Sequence, residues 1–202
     1  MQIAVLFYIA VLIMSVVIHE ISHGWVADYL GDPTARLAGR LTLNPLKHLD
    51  WFGSVIIPAL LIWLGGFVIG WAKPVPYNPH NLRGGRWGPA YVAAAGPASN
   101  LLLALIFGLL FRFNILTVAA SLISVIILLN IMLAIFNLIP VPPLDGSKIL
   151  FAALPYRLRH IEDWFMRHQL IIIVAFLFLI ANSHLLDSLV ARLFYLFTGS
   201  IF

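Results

Sequence analysis

The sequence has no cysteine, and only 10% of its 202 residues are charged. Lack of cysteine excludes a disulfide framework and a thiolate metal site, so any bound metal must rest on histidine and carboxylate. Ordinary soluble domains carry about 25% charged residues. A chain that is 62% hydrophobic, with mean hydropathy +1.00, is therefore not a water-soluble globule. The net charge of +4 is spread through the polar stretches rather than gathered in one run. That pattern argues against a nucleic-acid partner and bears on orientation in a lipid bilayer. Met1-Gln2-Ile3 carries no basic n-region, and no small-residue cleavage site precedes His19. The first apolar run is expected to be retained, not removed as a signal peptide.

What the chain does have is long apolar runs. They predict an all-α polytopic (multi-pass) membrane protein, one embedded unit over residues 1–202 with no room for a separate folded domain. About four transmembrane helices are expected: 3–21, 90–111, 117–139 and 170–190. A further hydrophobic segment, 51–71, is either a fifth span or a re-entrant hairpin, because Pro58 and Gly65-Gly66 interrupt it. Partial alternation over Ala35 to Leu43 predicts a short β hairpin. If 51–71 re-enters, Arg36, Arg40, Lys47, Lys73, Arg83, Arg86, Lys148, Arg157, Arg159 and Arg167 share one face, leaving Arg112 and Arg192 opposite. That lopsided distribution favours re-entry and assigns the basic face to the cytoplasm.

The first run ends in His19-Glu20-Ile21-Ser22-His23. Two histidines four residues apart share one helix face, so both imidazoles can reach one ion. Glu20 projects from a neighbouring face, where it can handle a water on that ion. This H-E-x-x-H pattern is the zinc-hydrolase signature, and ionisable groups in an apolar run are functional by default. Catalytic zinc takes three protein ligands and keeps a position open for water. Asp145 is the expected third ligand: it follows the Pro-rich stretch Pro140 to Pro143, which cannot be regular helix. The bland alternative is a turn residue before Gly146. Zinc lowers the pKa of its water to about 7. Glu20 then serves as general base on that zinc-bound water and as general acid to the leaving amine. His48 and Asn100 are candidate oxyanion donors or substrate-positioning groups. His48 could equally be an interfacial residue after Asn44-Pro45, and Asn100 an interhelical hydrogen-bonding residue.

These stretches, together with Gly96-Pro97-Ala98-Ser99-Asn100 and Asn137…Pro140…Leu144-Asp145-Gly146, resemble the site-2 protease family of intramembrane zinc metalloproteases. Asn44-Pro45-x-x-His48 and Gly70-Trp71-Ala72-Lys73-Pro74 are similar to its short prokaryotic members. The resemblance covers about residues 15 to 150. It implies a zinc metalloendopeptidase that cleaves transmembrane proteins or peptides within the lipid bilayer of a prokaryotic cell, its active site toward the cytoplasm. It also implies one zinc ion per chain on His19, His23 and Asp145, Glu20 as base, and Asn100 as the family's asparagine near the site. The PDZ and CBS domains of many members have no counterpart here, which leaves substrate choice open and makes an adaptor that presents the substrate one further expected kind of partner. A metal-ion transporter and a non-catalytic zinc-binding scaffold are the competing functions. The transporter lacks the inverted repeats and continuous polar path it needs, and the scaffold gives Glu20 no purpose. Because a helical substrate must unwind before attack, residues 35 to 48 are expected to offer it a strand edge.

Overall fold

The computed structural model describes residues 2–63, 72–115, 120–181 and 183–200. Nine α-helices lie among those residues: α1 Gln2–Tyr29, α2 Thr34–Leu37, α3 Ile57–Trp63, α4 Gly88–Arg112, α5 Ala120–Leu138, α6 Asp145–Ala153, α7 Arg159–Arg167, α8 Gln169–Ala181 and α9 Leu185–Thr198. Short 3-10 turns and a π-helical turn at Trp51–Ile56 fill some of the connections.

Three helical stretches are long and apolar enough to cross a membrane, Val5–Tyr29, Gly85–Arg112 and Ala120–Leu138. They match three of the expected spans. The fourth, 170–190, is not one helix. Its residues divide between α8 and α9, and a polar Ser183-His184 precedes α9. At 13 residues, α8 rises about 20 Å, short of a hydrocarbon core of about 30 Å. With Tyr156–Arg167 it forms a pair bent by 79°, which would count as a fourth, broken span. Of the 51–71 segment, the π turn and α3 are helical, whereas Gly65-Gly66 and the return to Trp71 lie outside the described residues.

The β hairpin at 35–43 does not form; no strand occurs among the described residues. Thr34–Leu37 is a helical turn instead, with Ala35 fully buried and Arg36 paired to Asp28 at 3.3 Å. A brief alternation is weak against local turn chemistry: the Asp32 carboxylate accepts from the Thr34 hydroxyl at 2.6 Å, and Pro33 pre-sets the backbone for a helical start. Gly39, at φ +63°, then turns the chain away.

The helices are organised around α4. It packs on both α1 and α5, and α6 and α9 close on its flanks. Ile123, Ile127 and Ile131 of α5 meet Ala104 of α4 and Val190 and Phe194 of α9 in one buried cluster, bordered by Phe107 and Phe111. Phe113 and Phe178 face outward. A smaller cluster joins Ala27, Val92 and Leu82, fixing the 72–82 segment against the ends of α1 and α4. Successive spans run in alternating directions, so the end of α1, the start of α4 and the end of α5 share one side.

Candidate metal centre

His19 and His23 lie one helical turn apart on α1, their rings edge-on with centroids 4.7 Å apart. Each Nδ1 faces an oxygen. That of His19 is 2.6 Å from Asn100 Oδ1, and that of His23 is 2.7 Å from the Val92 carbonyl. A carbonyl oxygen can only accept, so the Nδ1 of His23 carries the hydrogen and its Nε2 keeps a lone pair. The Val92 carbonyl, in the part of α4 that precedes Pro97, takes the imidazole as a donor.

Asp145 reaches the same point from the far end of the chain. Residues 139–144 leave the helical conformation between α5 and α6, and Asp145 opens α6 at its first turn. Gly146 is helical rather than a turn residue: a Cβ there would sit 2.1 Å from the Leu138 carbonyl oxygen. Its role is close passage of α6 against the end of α5, and that passage aims Asp145 inward. Asp145 Oδ2 lies 3.1 Å from His19 Nε2 and 3.0 Å from His23 Nε2, with all three side chains buried. Its other oxygen accepts from Lys148 Nζ at 3.1 Å.

His19, His23 and Asp145 are the one group among the described residues whose ligand atoms, all within 4.8 Å of one another, could hold a metal ion. The donor set fits. Two imidazole nitrogens and a carboxylate oxygen face one another, and such atoms repel unless a cation or proton lies between them. Ligands on one tetrahedral zinc stand roughly 3.3 Å apart, given metal–ligand distances of about 2.0 Å. The backbone also leaves space: a Cβ at Gly96 would fall 2.5 Å from both Nε2 atoms.

Glu20 follows His19 and is only partly buried; its Oε2 accepts from the Val75 N–H at 2.9 Å. Asn100 is fully buried and touches a member of the group directly. It is an interhelical hydrogen-bonding residue and a neighbour of the centre at once. His48 sits elsewhere. It is buried, its Nε2 meets the Thr42 carbonyl at 2.9 Å, and its own carbonyl accepts from Lys73 N at 2.9 Å. Arg40 reinforces that region, donating to the Lys47, Lys73 and Pro74 carbonyls. Ser15, Asn130 and Val75 join the centre's surroundings without a motif to mark them, and Lys148, expected only as one of the basic-face residues, touches Asp145. Asn130 carried a signal, an amide in the middle of the apolar run of α5, a helix whose other asparagine, Asn137, stands at its end.

The chain matches the family model described as Peptidase family M50 over residues 7–117 and 114–181. It is 41% identical over 159 residues to "Putative zinc metalloprotease YwhC" of Bacillus subtilis, covering 74% of this chain and 69% of that protein. Against "Putative zinc metalloprotease Rip2" of Mycolicibacterium smegmatis the identity is 37% over 137 residues, 66% of this chain and 52% of the relative. Against the Mycobacterium tuberculosis protein of the same name it is 30% over 150 residues, 73% and 55%. The chain thus spans about half the length of the mycobacterial relatives. No solved structure matches it.

Proposed function

Because this chain belongs to peptidase family M50, we propose that it is a zinc-dependent endopeptidase that hydrolyses peptide bonds of transmembrane substrates inside the bilayer. His19, His23 and Asp145 hold the ion in this reading. Zinc bound there supplies a Lewis acid that polarises the scissile carbonyl and makes water nucleophilic near neutral pH. Glu20 takes the proton from the attacking water and delivers it to the leaving amine. Its contact with the Val75 N–H fixes one carboxylate oxygen and leaves the other for that transfer.

The observation that carries the reading is the meeting of two Nε2 atoms and one carboxylate oxygen, from opposite halves of the chain, within 3.1 Å of Asp145 Oδ2. Next to them an apolar groove of about 450 Å³ runs between α1 and α4, lined by Ile18, Ile21, Ser22, Trp25, Leu43 and Ala95. It offers room for the apolar side chains of a peptide arriving from lipid. Attack requires that this peptide first lose its helical hydrogen bonds near the centre. The basic residues around the end of α1 and the start of α4 favour a cytoplasmic orientation of the centre in a prokaryotic membrane.

The test is metal analysis of the detergent-purified protein, followed by incubation with a library of transmembrane peptides. Stoichiometric zinc and cleavage that stops on chelation and returns with zinc are expected. A zinc-loaded protein that transports metal and cleaves no peptide would replace this reading with the transporter.

A further inference from the structure

Resting on the metalloprotease reading, we infer that Asn130, which reaches His19 only through Asn100, is a positioning residue that sets which nitrogen of His19 is free for metal. The argument is a chain of hydrogen bonds in which each link has one allowed direction. Asn130 is fully buried in α5. Its Nδ2 lies 2.9 Å from the Ile126 carbonyl oxygen, an atom that can only accept. The NH2 of Asn130 therefore points to Ile126, and to the Ser15 hydroxyl at 3.0 Å, leaving Oδ1 on the other side.

That Oδ1 accepts from Asn100 Nδ2 at 2.8 Å. The same Nδ2 reaches the Ser15 carbonyl oxygen, at a longer 3.3 Å. With its NH2 held there, Asn100 must turn Oδ1 toward His19, which it meets at 2.6 Å. An amide oxygen accepts, so the hydrogen of the His19 ring resides on Nδ1. Nε2 is then the lone-pair nitrogen, and it is the atom facing Asp145 and Gly96.

Remove Asn130 and the choice loosens. Only the longer contact to Ser15 remains to orient the Asn100 amide. A flipped Asn100 would present Nδ2 to His19 Nδ1, stabilising the tautomer whose hydrogen occupies Nε2, the position the metal needs. Three spans are tied by this network, since Ser15 belongs to α1, Asn100 to α4 and Asn130 to α5. Mere packing support would not depend on the direction of the amides; zinc affinity does.

The experiment uses the full chain in detergent micelles, with zinc affinity read by competition against a chromophoric chelator. Asn130→Leu is expected to bind zinc about 10- to 100-fold more weakly than wild type. Ser15→Ala keeps the Ile126 carbonyl that orients the amide, and is expected to stay within about twofold by the same reasoning. Nitrogen-15 resonances of the zinc-loaded wild type should identify His19 as hydrogen-bearing at Nδ1 and metal-bound at Nε2. A folded Asn130→Leu with undiminished affinity overturns the inference, as does an equal loss in Ser15→Ala or a wild-type His19 bound through Nδ1. Should Asn130→Leu not fold, the wild-type resonances decide. A wild type that takes up no zinc overturns the metalloprotease reading itself, and with it this inference.

Discussion

Glu20 and Val75 are joined by a hydrogen bond of 2.9 Å from the Val75 N–H to one carboxylate oxygen of the glutamate. The bond links the helix that carries both histidines to the irregular 72–78 segment, and it separates two roles of one side chain. Glu20→Gln keeps an acceptor oxygen for Val75 while abolishing basicity. Peptide hydrolysis is expected to fall by about 10²- to 10⁴-fold, with zinc stoichiometry and thermal stability unchanged. Loss of zinc alongside activity in this variant would mean that Glu20 supports the centre rather than the chemistry.

Lys148 acts on the centre through Asp145. Its ammonium contacts Asp145 Oδ1 at 3.1 Å and lies over the Tyr77 ring at 5.9 Å. With one oxygen engaged by Lys148, Asp145 offers the histidines only Oδ2. Lys148→Met preserves most of the side-chain volume and removes the donor. Zinc affinity is expected to drop about tenfold, and chelator competition on the purified protein measures it.

How much of this was legible beforehand follows from the range of the interactions involved. The pairing of His19 with His23 is a consequence of helical period alone, and an ionisable cluster in an apolar run announces itself. Asp145 drew notice because it follows the Pro-rich stretch at the end of a span, and Asn100 because an amide after Gly96-Pro97 stands in the middle of one. The hairpin expected over 35–43 failed because alternation competes poorly with Asp32-Pro33-Thr34, whose side-chain hydrogen bonds start a helical turn. His48 could not be located from its motif: its partner, the Thr42 carbonyl, belongs to a loop with no periodicity. The division of 170–190 into α8 and α9 falls at polar residues that include Ser183-His184, and α9 then packs against α4 and α5, a long-range contact that hydropathy does not encode.

Asp32 shows a long-range dependence that titration can expose. It is fully buried beyond the end of α1. Burial pushes its carboxyl up, but hydrogen bonds from Thr34, the Asn78 N–H and Asn81 outweigh that and hold it below the usual carboxylate range. With the folded value below the unfolded one, this stabilisation is present above about pH 4 and is lost as pH falls toward the folded value. Asp32→Asn turns an NH2 toward donors and is expected to cost about 2 kcal/mol near neutral pH. The gap in thermal stability between the two proteins should narrow as pH drops from about 6 to about 3; a gap that widens on acidification would contradict the sign.

Gly96 offers the sharpest steric test of the centre, because its alternatives are all larger. A Cβ at this position would lie 2.5 Å from His19 Nε2, 2.5 Å from His23 Nε2 and 2.6 Å from His19 Cε1. No real Cβ tolerates such contacts, so one or both imidazoles must move. Each ring is held at the back, by Asn100 and by the Val92 carbonyl, on the same helix that carries Gly96. Retreat therefore breaks a bond that orients the ring. The helix itself should survive, since alanine is a better helix former than glycine by about 1 kcal/mol. Gly96→Ala is expected to retain its helical content and lose zinc affinity by about 100-fold or more, as when ligand geometry is disturbed. Circular dichroism and zinc titration of the same preparation read the two quantities separately. Normal zinc binding in a folded Gly96→Ala protein would require the ion to sit away from the His19 and His23 Nε2 atoms, and the ligand assignment would have to be redrawn.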